Sequence, residues 1–300
     1  MASSRIAYLA LIWAFVVHTA ALLPSYNATA CPITIDGRIP SNTTVQTFDT
    51  AASPFNPTYT KGQNLTWSQI IKLPAIRPSK FDLPVHAKAL EVTINDSSIF
   101  VPGGGSPQLG FRRAGLLLGN GSDASNVGVK TFHWSVKQDL DAKMNLTHEY
   151  MNAWHEANDY ASNQFSFNTG VMLEQDKPTD GNVSTTGLDR RLWKFLDRKN
   201  DVLWTTGIVW DEWQNFAVTV DYENNTLQIY YSEGYDALEA VTKPISNDNS
   251  GGGQFQIGML KKPTETVSVV YDGYQEQGIY EGQIYGGIFI EDSSSGCTST

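Results

Sequence analysis

Ten short segments rich in β-branched and aromatic residues recur along this chain, and clusters of Gly, Asn, Asp and Pro separate them. Such segments favour strands, and their spacing, with almost no helical periodicity, indicates an all-β protein. We therefore predict a single β-jelly roll or two-sheet sandwich with an open polar cleft. The predicted strands are 89–94, 110–118, 130–137, 148–157, 164–173, 216–221, 227–232, 254–260, 268–271 and 283–291, and 66–73 and 190–195 are predicted short helices.

The first thirty residues are predicted to be a signal peptide rather than part of the fold. Arg5 precedes an apolar stretch over residues 6–23, and small residues at 28–30 offer a cleavage site. A signal anchor is the alternative. Residues 31–300 would then form one secreted domain.

Two cysteines, Cys31 and Cys297, stand near the two ends of the predicted mature chain. In an oxidising compartment they are expected to form a disulfide that closes nearly the whole chain, worth about 5 kcal/mol in loop entropy. Free or intermolecular thiols are the alternative.

Seven Asn-x-Ser/Thr sequons follow residue 30 and predict an extracellular glycoprotein. They are Asn42, Asn64, Asn95, Asn120, Asn145, Asn182 and Asn224. The net charge of −10 argues against nucleic acid and anionic membranes as partners. We expect a monomer.

Residues 148–159 hold two histidines, three acidic residues and a tryptophan. Strict strand alternation divides them into two faces. One face would carry His148, Tyr150, Asn152, Trp154 and Glu156, and the other Glu149, Met151, Ala153, His155 and Ala157. The first face combines aromatic rings with hydrogen-bonding groups, which is typical of a sugar-binding cleft.

Other predicted strands carry uncharged polar or cationic side chains opposite an apolar face, and a plain solvated face is the alternative interpretation. Arg113, His133 and Gln164 would join His148, Tyr150 and Trp154 in binding substrate, with Gln256 on the same polar face. Glu156 beside Trp154 is the candidate catalytic acid or base. An ion pair with Arg113 or Arg112 is the structural alternative for Glu156. His133 and His148 could hold a metal only if their two strands are neighbours in one sheet. We predict neither a metal nor a cofactor.

Six segments in order resemble fungal glycoside hydrolase family 131: residues 31–40, 61–67, 110–114, 146–150, 154–157 and 281–287. The resemblance implies a β-jelly roll that acts on 1,3-, 1,4- or 1,6-linked β-glucans. It also implies two catalytic glutamates, of which one matches Glu156 and the other falls at Gly115.

Gly115 shares the predicted face of Arg113, so a glutamate there would point into the cleft, and Gly115→Glu is expected to raise hydrolysis. Asp159, Glu174 and Glu276 are the nearest substitutes for the missing carboxylate. The sequence therefore predicts a secreted β-glucan hydrolase, with a non-catalytic carbohydrate-binding or wall-modifying protein on the same fold as the alternative. A polysaccharide lyase is disfavoured because the predicted cleft is not strongly basic.

Overall fold

The computed structural model describes residues 31–118, 123–173 and 187–300. The predicted signal peptide and the sequons at Asn120 and Asn182, as well as Glu174, lie outside these residues. The strands are β1 Ile33–Asp36, β2 Ile39–Pro40, β3 Ile71–Lys72, β4 Ala87–Lys88, β5 Leu90–Asn95, β6 Arg112–Leu117, β7 Val129–Gln138, β8 Glu149–Ala157, β9 Asn163–Gly170, β10 Leu192–Leu196, β11 Val202–Gly207, β12 Gln214–Asp221, β13 Thr226–Glu233, β14 Glu239–Ala240, β15 Ile245–Ser246, β16 Gly253–Lys261 and β17 Tyr280–Asp292. The helix α1 is Trp67–Ile70, and 3₁₀ turns are Val45–Asp49, Leu83–Val85 and Ala124–Asn126.

Two antiparallel sheets face each other and confirm the predicted sandwich. The nine-stranded sheet has the order β14-β13-β12-β7-β17-β5-β3, with β1 paired to β17 and β15 paired to β13. The six-stranded sheet has the order β11-β10-β9-β8-β16-β6. A short β2–β4 pair stands apart. Consecutive strands are thus divided between two layers, as the jelly-roll prediction requires.

Aromatic side chains fill the space between the sheets. Phe132 and Trp134 of β7 are fully buried and meet Phe165 and Phe255 from the six-stranded sheet, with ring centroids 5.1 to 6.4 Å apart. Rings at these separations contribute about 0.5–1.5 kcal/mol per pair beyond the area that they bury. The inner faces are therefore apolar, and candidate polar sites must lie on the outer faces or at the ends.

Two of the predicted elements are wrong. Residues 190–195, predicted as a helix, contain most of β10, because Trp193 and Phe195 alternate into the core. Residues 268–271, predicted as a strand, lie in the loop that joins β16 to β17. The predicted helix over 66–73 is reduced to the four residues of α1, and β11 was not predicted.

A β-bulge interrupts β8 at Asn152 and changes which side chains face outward. Met151 pairs with Asn168 of β9, whereas Ala153 pairs with the next residue, Phe167, so β8 has one residue more than its neighbour. An extra residue restarts the alternation of faces. Tyr150 and Ala153 consequently belong to the core between the sheets, and Met151 and Trp154 pack together on the outer face.

The structure joins Cys31 to Cys297, whose Cα atoms are 5.9 Å apart, as the sequence predicts. Among the sequons, Asn42, Asn64 and Asn224 are exposed, and Asn95 is partly buried. Asn145 is also partly buried, and its Nδ2 donates to Glu276 Oε1 at 2.9 Å. Over the described ranges, no helix is long and apolar enough to span a membrane.

Candidate functional site

Glu156 lies on the outer face of the six-stranded sheet and is partly exposed. Gln254 and Gln256 of the neighbouring strand β16 both donate their Nε2 groups to Glu156 Oε2, each at 2.8 Å. The other carboxylate oxygen, Oε1, receives no hydrogen bond from a residue that the structure describes. The carboxylate is therefore held through one oxygen, and the other is left for a ligand.

Arg113 of β6 acts on Glu156 through Gln256. Arg113 Nη2 donates to Gln256 Oε1 across a long 3.5 Å hydrogen bond. Because a guanidinium has no acceptor, this contact turns the oxygen of the Gln256 amide toward Arg113 and its NH₂ group toward Glu156. Burial lowers the pKa of Arg113, whereas the charge of Glu156 raises it. Arg113 is 5% exposed, so its predicted role as a direct sugar ligand gives way to a positioning role.

Trp154 shares the outer face with Glu156, but its ring is only 1% exposed. Trp154 belongs to a buried cluster with Phe111, Met151 and Leu260, and Val269 and Val270 of the β16–β17 loop, residues 262–278, pack against this cluster. The guanidinium of Arg113 lies 5.8 Å from the ring centroid. Trp154 is therefore buried beneath the site, and its ring is not open for a sugar to stack on, which corrects its predicted role in binding substrate.

Gly115 also lies on this face, as predicted, but the space in front of it is filled. A Cβ atom at Gly115 would lie 2.6 Å from Gln256 Oε1 and 2.9 Å from Trp154 Cη2. Both neighbours are buried, and Gln256 holds Glu156. The resemblance places the second catalytic glutamate at position 115, but in this chain the space in front of Gly115 is already occupied. A glutamate there would displace Gln256 and Trp154, the groups beside Glu156.

We expect Gly115→Ala to lower the free energy of unfolding by about 1–3 kcal/mol, because the added methyl group overpacks the Trp154 ring. Gly103→Ala is the matched control, since a Cβ atom there meets nothing within 4 Å. Urea denaturation measures both variants. For the same reason Gly115→Glu should lower rather than raise hydrolysis, which revises the sequence-based expectation. Equal stability of the two alanine variants would contradict the tight fit.

Tyr150 is not on the outer face, because the bulge at Asn152 turns it inward. Its hydroxyl group donates to Glu281 Oε2 at 2.7 Å, and the residue is fully buried. Burial raises the pKa of Tyr150 well above its usual value. The structure corrects the prediction that Tyr150 binds substrate: it is part of the interior at one end of the sandwich.

His133 belongs to the nine-stranded sheet, on the outer face opposite to that of Glu156. It is fully buried, its Nε2 lies 2.9 Å from Glu291 Oε1, and its ring stacks on Phe289 at 4.3 Å. Burial lowers the pKa of His133 in spite of the partner carboxylate. The predicted substrate contact of His133 is therefore corrected to a structural one.

His148 directly precedes β8, and it is also buried. Its Nδ1 lies 2.8 Å from the carbonyl oxygen of Lys262, and its Nε2 lies 3.0 Å from Glu276 Oε2. Glu276 in turn bonds Lys261. His148 thus belongs to a buried polar cluster at the end of the sandwich, which corrects its predicted role as a substrate ligand.

The pairing of β8 with β9 shifts register a second time between His155 and Glu156, opposite Gln164, which is fully buried. Its Nε2 donates to the carbonyl oxygens of Asn249 and Gly252, at 3.0 and 3.1 Å. Gln164 therefore fastens the loop before β16 and does not line a cleft, contrary to prediction. Within the described parts of the chain, no three His, Cys, Asp or Glu side chains are grouped to hold a metal.

A second carboxylate beside Glu156 is the group that hydrolysis would need. The other acidic side chain that β8 turns outward is Glu149, which bonds Lys262 and Asn168 and is 1% exposed. Seven residues along a strand span about 20 Å, well beyond the 5–9.5 Å of glycosidase carboxylate pairs. Glu276 is engaged by Lys261, whereas Asp159, three residues after Glu156, is exposed and lies 3.9 Å from Arg198.

Sequence reasoning missed two parts of this site. Gln254 was not singled out, although it alternates with core residues on β16. The covering role of the β16–β17 loop was obscured by the predicted strand at 268–271. The one sequence signal for this role was the apolar pair Val269 and Val270, which stands between turn-forming residues.

These features define the class: a two-sheet β-sandwich protein whose six-stranded sheet presents one carboxylate held by polar side chains on its outer face. The sequence model of the glycoside hydrolase 131 catalytic N-terminal domain matches residues 33–296. This chain therefore belongs to glycoside hydrolase family 131, as its sequence segments suggested.

Solved structures share the fold. A GH131 β-glucanase catalytic domain from Podospora anserina has a TM-score of 0.66 and 19% identity, over 89% of this chain and 98% of that chain. The catalytic domain of the glycoside hydrolase family 131 protein from Coprinopsis cinerea has a TM-score of 0.64 and 17% identity, over 90% of this chain and 97% of that chain. At these sequence identities, the similarity shows that the fold is shared. No curated protein sequence matches the chain.

Proposed function

We propose that this protein is a secreted, monomeric β-glucan hydrolase in which Glu156 transfers the proton. The observation that carries the proposal is the partly exposed Glu156, with Oε2 held by two glutamines and Oε1 open, in a chain that belongs to a glycoside hydrolase family. The name of the Podospora anserina relative supports β-glucan as the substrate class. Neither a metal nor a cofactor is part of the proposal.

The chemistry assigned to Glu156 is general acid–base catalysis at a glycosidic bond. Oε1 would exchange a proton with the glycosidic oxygen or with the attacking water. Gln254 and Gln256 fix the carboxylate, and Arg113 fixes the amide of Gln256. Asp159 is the exposed carboxylate nearest in sequence that could supply the second group, and Asp159→Asn tests it.

Secretion is supported by the Cys31–Cys297 disulfide, since disulfides persist mainly in oxidising compartments. The exposed sequons at Asn42, Asn64 and Asn224 are compatible with glycosylation. Mass spectrometry of protein from a eukaryotic culture medium tests the cleavage after residue 30 and the occupancy of each sequon.

A glucan-binding protein without hydrolytic activity is the second candidate. The filled space at Gly115 favours it, because that is where the resemblance places the second glutamate. A reducing-end assay on 1,3-, 1,4- and 1,6-linked β-glucans, run beside a binding assay on the same polymers, separates the two candidates. Release of sugar supports the hydrolase, binding without release supports the binding protein, and the absence of both contradicts both.

A further inference from the structure

Two exposed tyrosines lie on either side of Glu156, and neither was part of the predicted site. Tyr160 is 72% exposed and follows Glu156 by four residues, and Tyr271 is 52% exposed at the tip of the β16–β17 loop. We propose that Tyr160 and Tyr271 are stacking platforms that bind sugar rings of one β-glucan chain on both sides of Glu156. This inference rests on the proposed function, because it names the residues that would hold its substrate.

Tyr271 is carried by a loop that is firmly attached to the sheet. Thr264 and Tyr274 close the loop with two backbone hydrogen bonds of 2.8 and 3.1 Å, and the amide of Gly110 donates to Val270 at 3.0 Å. A Cβ atom at Gly110 would lie 2.2 Å from the carbonyl oxygen of Val269, so only glycine permits this approach. The backbone of Tyr271 is therefore held in place although its side chain is exposed.

The position of the loop tip relates Tyr271 to Glu156. Val269 and Val270, directly before Tyr271, pack against the cluster that contains Met151 and Trp154 of β8. Trp154 and Glu156 are alternate residues of β8 on the same outer face of the sheet. Tyr271 thus stands above the part of β8 that precedes Glu156.

Tyr160 stands beyond the other end of β8, in the turn that leads to β9. Its amide donates to the carbonyl oxygen of Ala157 at 2.9 Å, and its φ of 56° places its backbone in the left-handed region. Asp159 accepts the amide of Ala161 at 3.0 Å, and Asn158 Nδ2 donates to the carbonyl oxygen of Gly251 at 3.0 Å. The turn is therefore ordered on both sides of the exposed ring.

The chemistry of the two rings suits a neutral sugar chain. A tyrosine combines an apolar face with a polar hydroxyl group, which matches the CH faces and hydroxyl groups of a pyranose. Glu156 and Asp159 are acidic, which disfavours an anionic polymer between the two rings. The strand from Trp154 to Ala157 spans about 10 Å, and the turn at 158–160 places Tyr160 beyond its end, so that Glu156 lies between the two rings along β8.

Isothermal titration calorimetry with a β-1,3-glucan hexasaccharide and a β-1,4-glucan hexasaccharide tests the proposal. All variants carry Glu156→Gln so that the ligand stays intact. We expect Tyr160→Ala and Tyr271→Ala each to weaken binding by about 2–10-fold. Tyr160→Phe and Tyr271→Phe should retain most of the affinity. Tyr280→Ala is the matched control, because Tyr280 is 55% exposed but starts β17 in the other sheet.

Hydroxyl-radical footprinting by mass spectrometry gives a readout that does not depend on a variant. Bound glucan should protect Tyr160 and Tyr271 and leave Tyr280 unprotected. If neither hexasaccharide nor polymeric glucan binds the parent protein, the proposed function fails and the inference fails with it. If glucan binds but the two alanine variants bind as tightly as the control, only the tyrosine assignment is overturned. A change in sedimentation mass with unchanged affinity would overturn it too, and would identify a surface for self-association.

Discussion

Glu156→Gln should reduce β-glucan hydrolysis by about 10²–10⁴-fold, the range that a positioned proton-transfer group contributes. The substitution keeps the size of the side chain but removes the group that gives and takes the proton. Gln254 and Gln256 would then face an amide, whose oxygen can accept both of the hydrogen bonds that Oε2 accepts in the parent protein. A reducing-end assay under single-turnover conditions measures the loss in the rate of the chemical step directly.

Glu223→Gln is the control for this change, because Glu223 is exposed in the turn between β12 and β13 and should leave hydrolysis unaltered. Circular dichroism and the thermal midpoint establish that the Glu156 variant stays folded. Hydrolysis that persists at the level of the control would remove Glu156 from the mechanism. The proposed function would then need another carboxylate, of which Asp159 is the first to test.

Lys261→Met should lower the free energy of unfolding by about 3–5 kcal/mol, the cost of leaving buried charges without their partner. Lys261 Nζ lies 2.5 Å from Glu276 Oε1 and 2.7 Å from Glu281 Oε1, and its side chain is fully buried. Methionine keeps the length of the side chain but leaves both carboxylates without their cation. Urea denaturation at pH 7 measures the loss, and Lys243→Met, at an exposed position, is the control.

The loss caused by Lys261→Met should depend on pH. Burial works to raise the pKa of Glu276, but hydrogen bonds from Lys261 and Asn145 outweigh it and hold the pKa at about 2, below the usual 4.5. A depressed carboxyl pKa stabilises the folded protein above about pH 4.5, and this contribution disappears as the pH falls toward 2. The gap between the parent and the variant should therefore be widest near neutrality and narrow in acid. A gap of constant size would show that packing, rather than charge, accounts for it.

The fold was predictable because it depends on a repeated pattern that single irregularities do not erase. Phe132, Trp134 and Phe255 alternate with polar residues in the sequence, and the structure places all three in the core. The helix predicted at 190–195 failed because so short a segment fits both periods: Leu192 and Phe195 have helical spacing, whereas Trp193 and Phe195 alternate as in a strand. Only the opposing sheet, which buries both rings, decides in favour of the strand.

The site was predictable in part, because alternation holds only between bulges. Trp154 and Glu156 follow the bulge and face outward as expected, whereas Tyr150 precedes it and faces inward. No local sequence signal marks Asn152 as the extra residue, since bulges depend on how neighbouring strands pair. His133 was misplaced for a different reason: one strand cannot reveal the sheet to which it belongs.

The filled space at Gly115 shows that a glycine on one strand can be required by the packing of side chains from neighbouring strands. The missing side chain makes room for the ring of Trp154 and for the oxygen of Gln256. A substitution at Gly115 alone therefore tests the packing as much as the chemistry. Combining Gly115→Glu with a smaller residue at 154 would separate these two effects.

The disulfide between Cys31 and Cys297 makes a covalent ring of the 267 residues that it encloses, given a sequence separation of 266. A protease that cuts once in an exposed turn, such as the one at Glu223, would not release a fragment. The two pieces would stay linked through sulfur, and the many strand pairings between them would remain intramolecular. Damage of this kind would be visible on a gel only after reduction.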